Sequence, residues 1–193
     1  MKKNVALLLF DDVEVLDFAG PFEVFAVTDE LRDHETFNVY TVAETARTIR
    51  ARNGLNVVPH HTFADAPSAD ILIIPGGYGT RALLARPEVL AWIQRQATAA
   101  EIVMSVCTGA LLLAKLGLLD GLAATTHHEL IDMLIELAPK ATVLPRERFT
   151  DNGKICTSAG ISAGIDLSLH LVARLLGDAA AQTSARYMEY ERR

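Results

Sequence analysis

Cys107 lies between a short apolar run, Ile102-Val103-Met104, and a segment from Gly109 to Leu116 that reads as a helix closed by Gly117. A wholly apolar run bounded in this way reads as a buried strand. The cysteine then falls in a sharp strand-to-helix turn, the setting of a nucleophile elbow, where one side chain is pushed up at the carboxyl edge of a parallel sheet. Backbone N–H groups opening the following helix would stabilise a thiolate there and lower its pKa below the ~8.5 of a free thiol. A small apolar cysteine packed at a strand end is the alternative, since cysteine is among the residues most often buried. The next residue, Thr108, brings a hydroxyl that could either hold a substrate or cap the elbow helix.

Two further groups could take part. Asp17, in Leu16-Asp17-Phe18-Ala19-Gly20-Pro21, sits at or near the start of a helix predicted over 21–28, with Pro21 at its first position. A carboxylate there is favourable beside unpaired N–H groups. Near a thiol and partly buried, it would instead have a raised pKa and could share a proton at neutral pH. Spacing leaves both open. His127, in Thr126-His127-His128-Glu129, would open a helix running to about residue 137, because Thr126 and Glu129 form a capping-box pattern. Its imidazole is then biased toward neutral, and it fits a rim residue as well as a catalytic one.

The elements that must position these groups alternate. Strands are expected over 5–10, 37–42, 71–74, 102–104, 123–125 and 143–144, and helices over 87–100, 109–116 and 162–176. Hairpins are expected on the sheet edge at 47–58, turning at Asn53-Gly54, and at 148–158, turning at Asn152-Gly153. Such alternation predicts a mainly parallel sheet covered by helices on both faces, with ligands at the carboxyl ends of the strands. Residues 10–17, the Pro75-Gly76-Gly77-Tyr78-Gly79 turn, Cys107 and His127 all belong to that rim.

With 193 residues, half of them hydrophobic, the chain can form one sizeable core, and nothing divides it into a second domain. A net charge of −6 without a basic stripe argues against nucleic-acid or anionic-membrane partners. The apolar start stops at Asp11-Asp12 without a cleavage site, and no run approaches the ~18 residues of a membrane span. Two cysteines, Cys107 and Cys156, make no disulfide framework and fit a reducing cytoplasm; Cys156, in a hairpin strand, reads as packing. Gly77-Tyr-Gly-Thr-Arg-Ala82 fits a dinucleotide pattern, but Glu101 precedes the next strand instead of ending it. His60-His61 and His127-His128 lack ligand spacing, so no metal and no cofactor are expected; the His60 pair reads as exposed loop.

The motifs Leu16–Pro21, Ile74-Pro75-Gly76-Gly77, Ser105-Val106-Cys107-Thr108-Gly109, Ala124-Thr125-Thr126-His127 and Ala159-Gly160-Ile161-Ser162-Ala163-Gly164-Ile165-Asp166 together resemble the ThiJ/PfpI superfamily, related to class I glutamine amidotransferases. They look most like the isonitrile hydratase branch, and also like the sensor domains of AraC-type regulators. The resemblance implies a single-domain α/β fold over 1–193, a flavodoxin-like or Rossmann-like three-layer sandwich. It makes Cys107 the nucleophile and Asp17 its acidic partner, and favours the proton-sharing reading of that carboxyl. The N–H groups of Gly77 and Thr108 look like an anion-stabilising pair, with His127, Gly76 and Ile161 as accessory residues. It further implies a small-molecule substrate and a homodimer.

This sequence departs from the peptidase-like branch, where a His follows the cysteine; here that residue is Thr108. Peptide hydrolysis needs a general acid for the leaving amine, so the departure disfavours it. The expected reaction is hydration of an isonitrile to an N-substituted formamide. Small amides or glyoxal-type carbonyls are the alternative substrates, and a ligand or oxidant sensor with an exposed, low-pKa cysteine is the non-enzymatic one. No residues are expected after Arg193 for a helix-turn-helix module, so DNA binding by this chain is not expected.

Overall fold

The computed structural model describes residues 1–192. Its strands are β1 (Lys3–Leu8), β2 (Phe37–Ala43), β3 (Ile49–Arg50), β4 (Asn56–Val57), β5 (His61–Thr62), β6 (Ile71–Ile74), β7 (Ile102–Val106), β8 (Ala123–Ala124), β9 (Thr142–Val143), β10 (Phe149–Asp151) and β11 (Ile155–Ser158). The helices are α1 (Val15–Glu30), α2 (Thr80–Leu83), α3 (Pro87–Ala99), α4 (Gly109–Lys115), α5 (Ile131–Leu137), α6 (Ala163–Leu176) and α7 (Asp178–Tyr187). Seven strands form one sheet in the order β10-β11-β7-β6-β1-β2-β5. All its pairings are parallel except β10 with β11.

Every residue of β6 and β7 is buried, as central parallel strands covered on both faces require. The chain moves from β1 to β2 in one direction across the sheet and from β6 to β7 in the other. Right-handed crossovers therefore put α1 and α3 on opposite faces. α6 and α7 pack with α1, and α4 packs with α2 and α5. The reversal between β1 and β6 makes a crevice at their carboxyl ends, where such folds hold ligands.

Several expected boundaries move. α1 begins at Val15, and Pro21 lies inside it. Proline there removes the bond to the carbonyl of Asp17, yet burial of Phe18, Val24 and Phe25 holds the helix through that gap. The 47–58 hairpin forms, with Ile49 opposite Val57, but as its own two-stranded sheet. The edge of the main sheet is β5, so His61 belongs to a strand and is half-buried, while His60 is exposed. β8 and β9 pair in parallel as a second small ribbon.

Candidate active site

The elbow closes where β7 meets α4. Cys107 has φ 55°, a left-handed conformation that a non-glycine residue holds only when its surroundings enforce it. Its N–H lies 3.2 Å from the carbonyl of Ser158 and 3.1 Å from that of Ala159, and its carbonyl accepts the Thr126 hydroxyl at 2.8 Å. Thr126 is thus drawn onto the elbow and does not cap a helix; His127 instead flanks a short 3-10 turn, its Nδ1 accepting the Glu129 N–H at 3.4 Å.

Asp17 is brought to the cysteine by the first turn of α1 and is fully buried. Oδ2 accepts the Gly76 N–H at 2.9 Å, whereas Oδ1 has no hydrogen-bond partner. Gly76 is required for this approach: a Cβ would stand 2.5 Å from the Thr108 nitrogen and 2.9 Å from Asp17 Oδ2. The Cys107 thiol and the Ile161 amide also face the carboxyl. Ile161 itself has φ 55°, an outlier for a β-branched residue, which turns its backbone toward the site.

Burial pushes Asp17 up to about 7, opposed by the Gly76 amide and reinforced by the charge of Glu14. Burial also pushes Cys107 up to about 12, with Asp17 adding to the rise and the Thr108 amide opposing it. The expected exposed, low-pKa thiol is therefore corrected: Cys107 is 6% exposed, and desolvation outweighs the helix N-terminus. The carboxyl ionises first and the sulfur keeps its proton, so around neutrality a carboxylate base stands beside a protonated thiol.

The Gly77 N–H donates to Thr108 Oγ1 at 2.9 Å, and the Thr80 hydroxyl lies 3.1 Å from that oxygen. The Thr108 hydroxyl therefore stitches the β6 turn to the elbow, and Gly77 is already engaged; the Thr108 amide faces the sulfur. Cys107, Thr108, Gly77, His127 and Ile161 share a cavity of about 360 Å³. The His127 ring packs against Gly160, and burial together with His128 holds its pKa below the ordinary value. Among the described residues no cluster of His, Cys, Asp or Glu is arranged to hold a metal ion, and no helix is long and apolar enough to cross a membrane.

Among the other lining residues, Glu14 and Tyr78 fall in segments expected at the rim, whereas Arg52 and Arg81 escape sequence reasoning. Glu14, Arg52, Tyr78 and Arg81 meet in the cavity wall because the β3–β4 ribbon folds over the β6 turn. The guanidiniums of Arg52 and Arg81 lie over the Tyr78 ring, at 4.0 and 5.1 Å from its centroid. The only signal for Arg52 was that it adjoins the Asn53-Gly54 turn. Cys156, fully buried, lies against Asp151 away from this cavity.

A parallel sheet with a cysteine elbow after a central strand and a buried carboxyl beside the sulfur defines a class of α/β protein built around one thiol. Residues 3–174 match the model of the DJ-1/PfpI family, and the chain belongs to it. It is 36% identical to the isonitrile hydratase of Pseudomonas putida over 191 residues, 98% of this chain and 79% of that protein. It is 29% identical to the HTH-type transcriptional regulator GbdR of Pseudomonas aeruginosa over 190 residues, spanning about half (51%) of the regulator's length. A THiJ/PfpI family protein from Pseudomonas syringae superposes with a TM-score of 0.88 at 30% identity, covering 100% of this chain and 77% of that one.

Proposed function

We propose that the chain is a cysteine-dependent enzyme that hydrates isonitriles to N-substituted formamides. The observation that carries this reading is the Cys107–Asp17 pair: a thiol opening onto a cavity, beside a buried carboxyl whose Oδ1 has no partner and which burial pushes up to about 7. The isonitrile hydratase similarity supports the same substrate class.

Asp17, ionised, takes the thiol proton as sulfur bonds to the terminal carbon of R–N≡C, then delivers that proton to the same carbon, giving the thioimidate R–N=CH–S. Water adds to this carbon with Asp17 as base. One water proton ends on nitrogen, the C–S bond breaks, and the other returns to sulfur as R–NH–CHO leaves. This addition builds no oxyanion. Amide hydrolysis does, and needs preorganised donors for it. The Gly77 amide, committed to Thr108, is poorly placed to be one.

Incubating the purified protein with alkyl and aryl isonitriles and following formamide by mass spectrometry tests the reading. Turnover is expected from the native protein and not from Cys107→Ala. Equal turnover by that variant removes the thiol mechanism, and absence of formamide from every isonitrile removes the substrate assignment. A second reading, reversible ligand sensing, is favoured by the similarity to the regulator, which spans 98% of this chain. It predicts ligand-raised Tm without product.

A further inference from the structure

Cys107 forms the reactive floor of its cavity, and the outer wall carries charge that the reaction does not use. Arg52 lies 3.5 Å from Glu14, which offsets its charge. Arg81 has no carboxylate partner among the described residues and rests over Tyr78, itself 56% exposed. Guanidiniums held on an aromatic face are preorganised, so less conformational freedom is lost when they bind an anion. Apolar lining is sparse, limited to Tyr78, Leu130 and Ile161, so a long alkyl group would find little surface to bury against. The charge of Glu14 acts on both Asp17 and Cys107, so it faces the reacting end and repels an anion there. Glu129 also lines the cavity, 3.8 Å from His127 Nδ1, so the wall as a whole is not cationic and the place for an anion is confined to Arg81: neutral at the sulfur, negative only beside that guanidinium.

We propose that Arg81, supported by Tyr78, receives a carboxylate at the mouth of the Cys107 cavity, so that the substrates are small isonitriles bearing a remote carboxylate. The substrate class rests on the isonitrile reading; the anion subsite rests on the wall alone. Arg81 is a specificity residue and takes no part in bond making.

Two measurements separate these claims. The first compares kcat/KM for 4-isocyanobutanoate and its methyl ester in the native protein and in Arg81→Gln. The acid is expected to lead by about tenfold, the scale of a charge-assisted contact at a partly exposed site, and the ratio to fall toward one in the variant. The second uses N-iodoacetyl-β-alanine and its methyl ester, whose alkylating groups are the same, and measures their rates of Cys107 alkylation. The acid is again expected to react faster, with the bias lost in Arg81→Gln and at high salt. Alkylation bias without isonitrile turnover would sink the isonitrile reading while upholding the anion subsite. An ester as good as the acid, or a bias unchanged in Arg81→Gln, would overturn the subsite.

Discussion

The chemistry at the residue scale turns on which member of a buried pair gives up its proton first. Asp17 is fully buried and lifted to about 7, and Cys107, lifted to about 12, stays a thiol beside it. Attack needs the carboxylate as base, so kcat/KM is expected to rise as pH increases through about 7. Asp17→Asn should cost roughly 10²- to 10⁴-fold and lose that limb, which a pH–rate profile of both proteins would read. The same group has a stability signature. Its folded pKa lies above its ordinary 3.8, so its contribution is fully present below pH ~4 and is lost as pH rises through about 7. The stability of Asp17→Asn relative to the native chain should therefore increase between pH 4 and 7 in urea titrations, and a flat difference would contradict the raised pKa.

At the scale of elements, the site depends on how tightly the β6 turn and the elbow are held together. A Cβ on Gly76 would meet the Thr108 nitrogen, the Thr108 hydroxyl and Asp17 Oδ2 at once, at 2.5, 2.6 and 2.9 Å. Gly76→Ala is expected to destabilise by about 1–3 kcal/mol, the range for overpacking, and to lower turnover of the remaining folded protein by more than tenfold. Urea denaturation and kcat on the same sample separate the two effects, and full kcat would show that the site tolerates displacement of the β6 turn. The strands over 71–74 and 102–104 and the elbow were legible because apolar runs and glycines are local signals. The start of α1 was not, because Pro21 resembles a helix start and only tertiary burial carries the helix back to Val15. Nor was the fate of Thr126, whose hydroxyl found the Cys107 carbonyl in place of its own helix. Asp17 and Cys107 could be named from motifs, and Tyr78 and Arg81 meet locally three residues apart, but Arg52 reaches them only through the folded ribbon, which no spacing encodes.

Over the whole molecule, the sheet assigns its two cysteines different environments. Cys107 follows β7 at the carboxyl edge and lines a cavity, whereas Cys156 pairs with Met104 inside the sheet and is fully buried. Burial and the neighbouring Asp151 push Cys156 up to about 12, and Asp151 is itself held by His170 at 2.7 Å and Arg174 at 2.6 Å. A reagent can reach Cys107 through the cavity, but Cys156 only when β10, β11 and α6 separate. β10 is the sheet edge, but β11 pairs with central β7 and α6 packs against both, so exposing Cys156 should require nearly the full unfolding free energy. Iodoacetamide is therefore expected to label Cys107 alone in the native state, as read by peptide mass spectrometry. Labelling of Cys156 should increase with urea at a slope close to the equilibrium m value, because a thiol exposed only by global opening follows the unfolded population. A Cys156 rate that matches Cys107, or that ignores urea, would mean that the β10–β11 edge opens separately and that the sheet is not one cooperative unit.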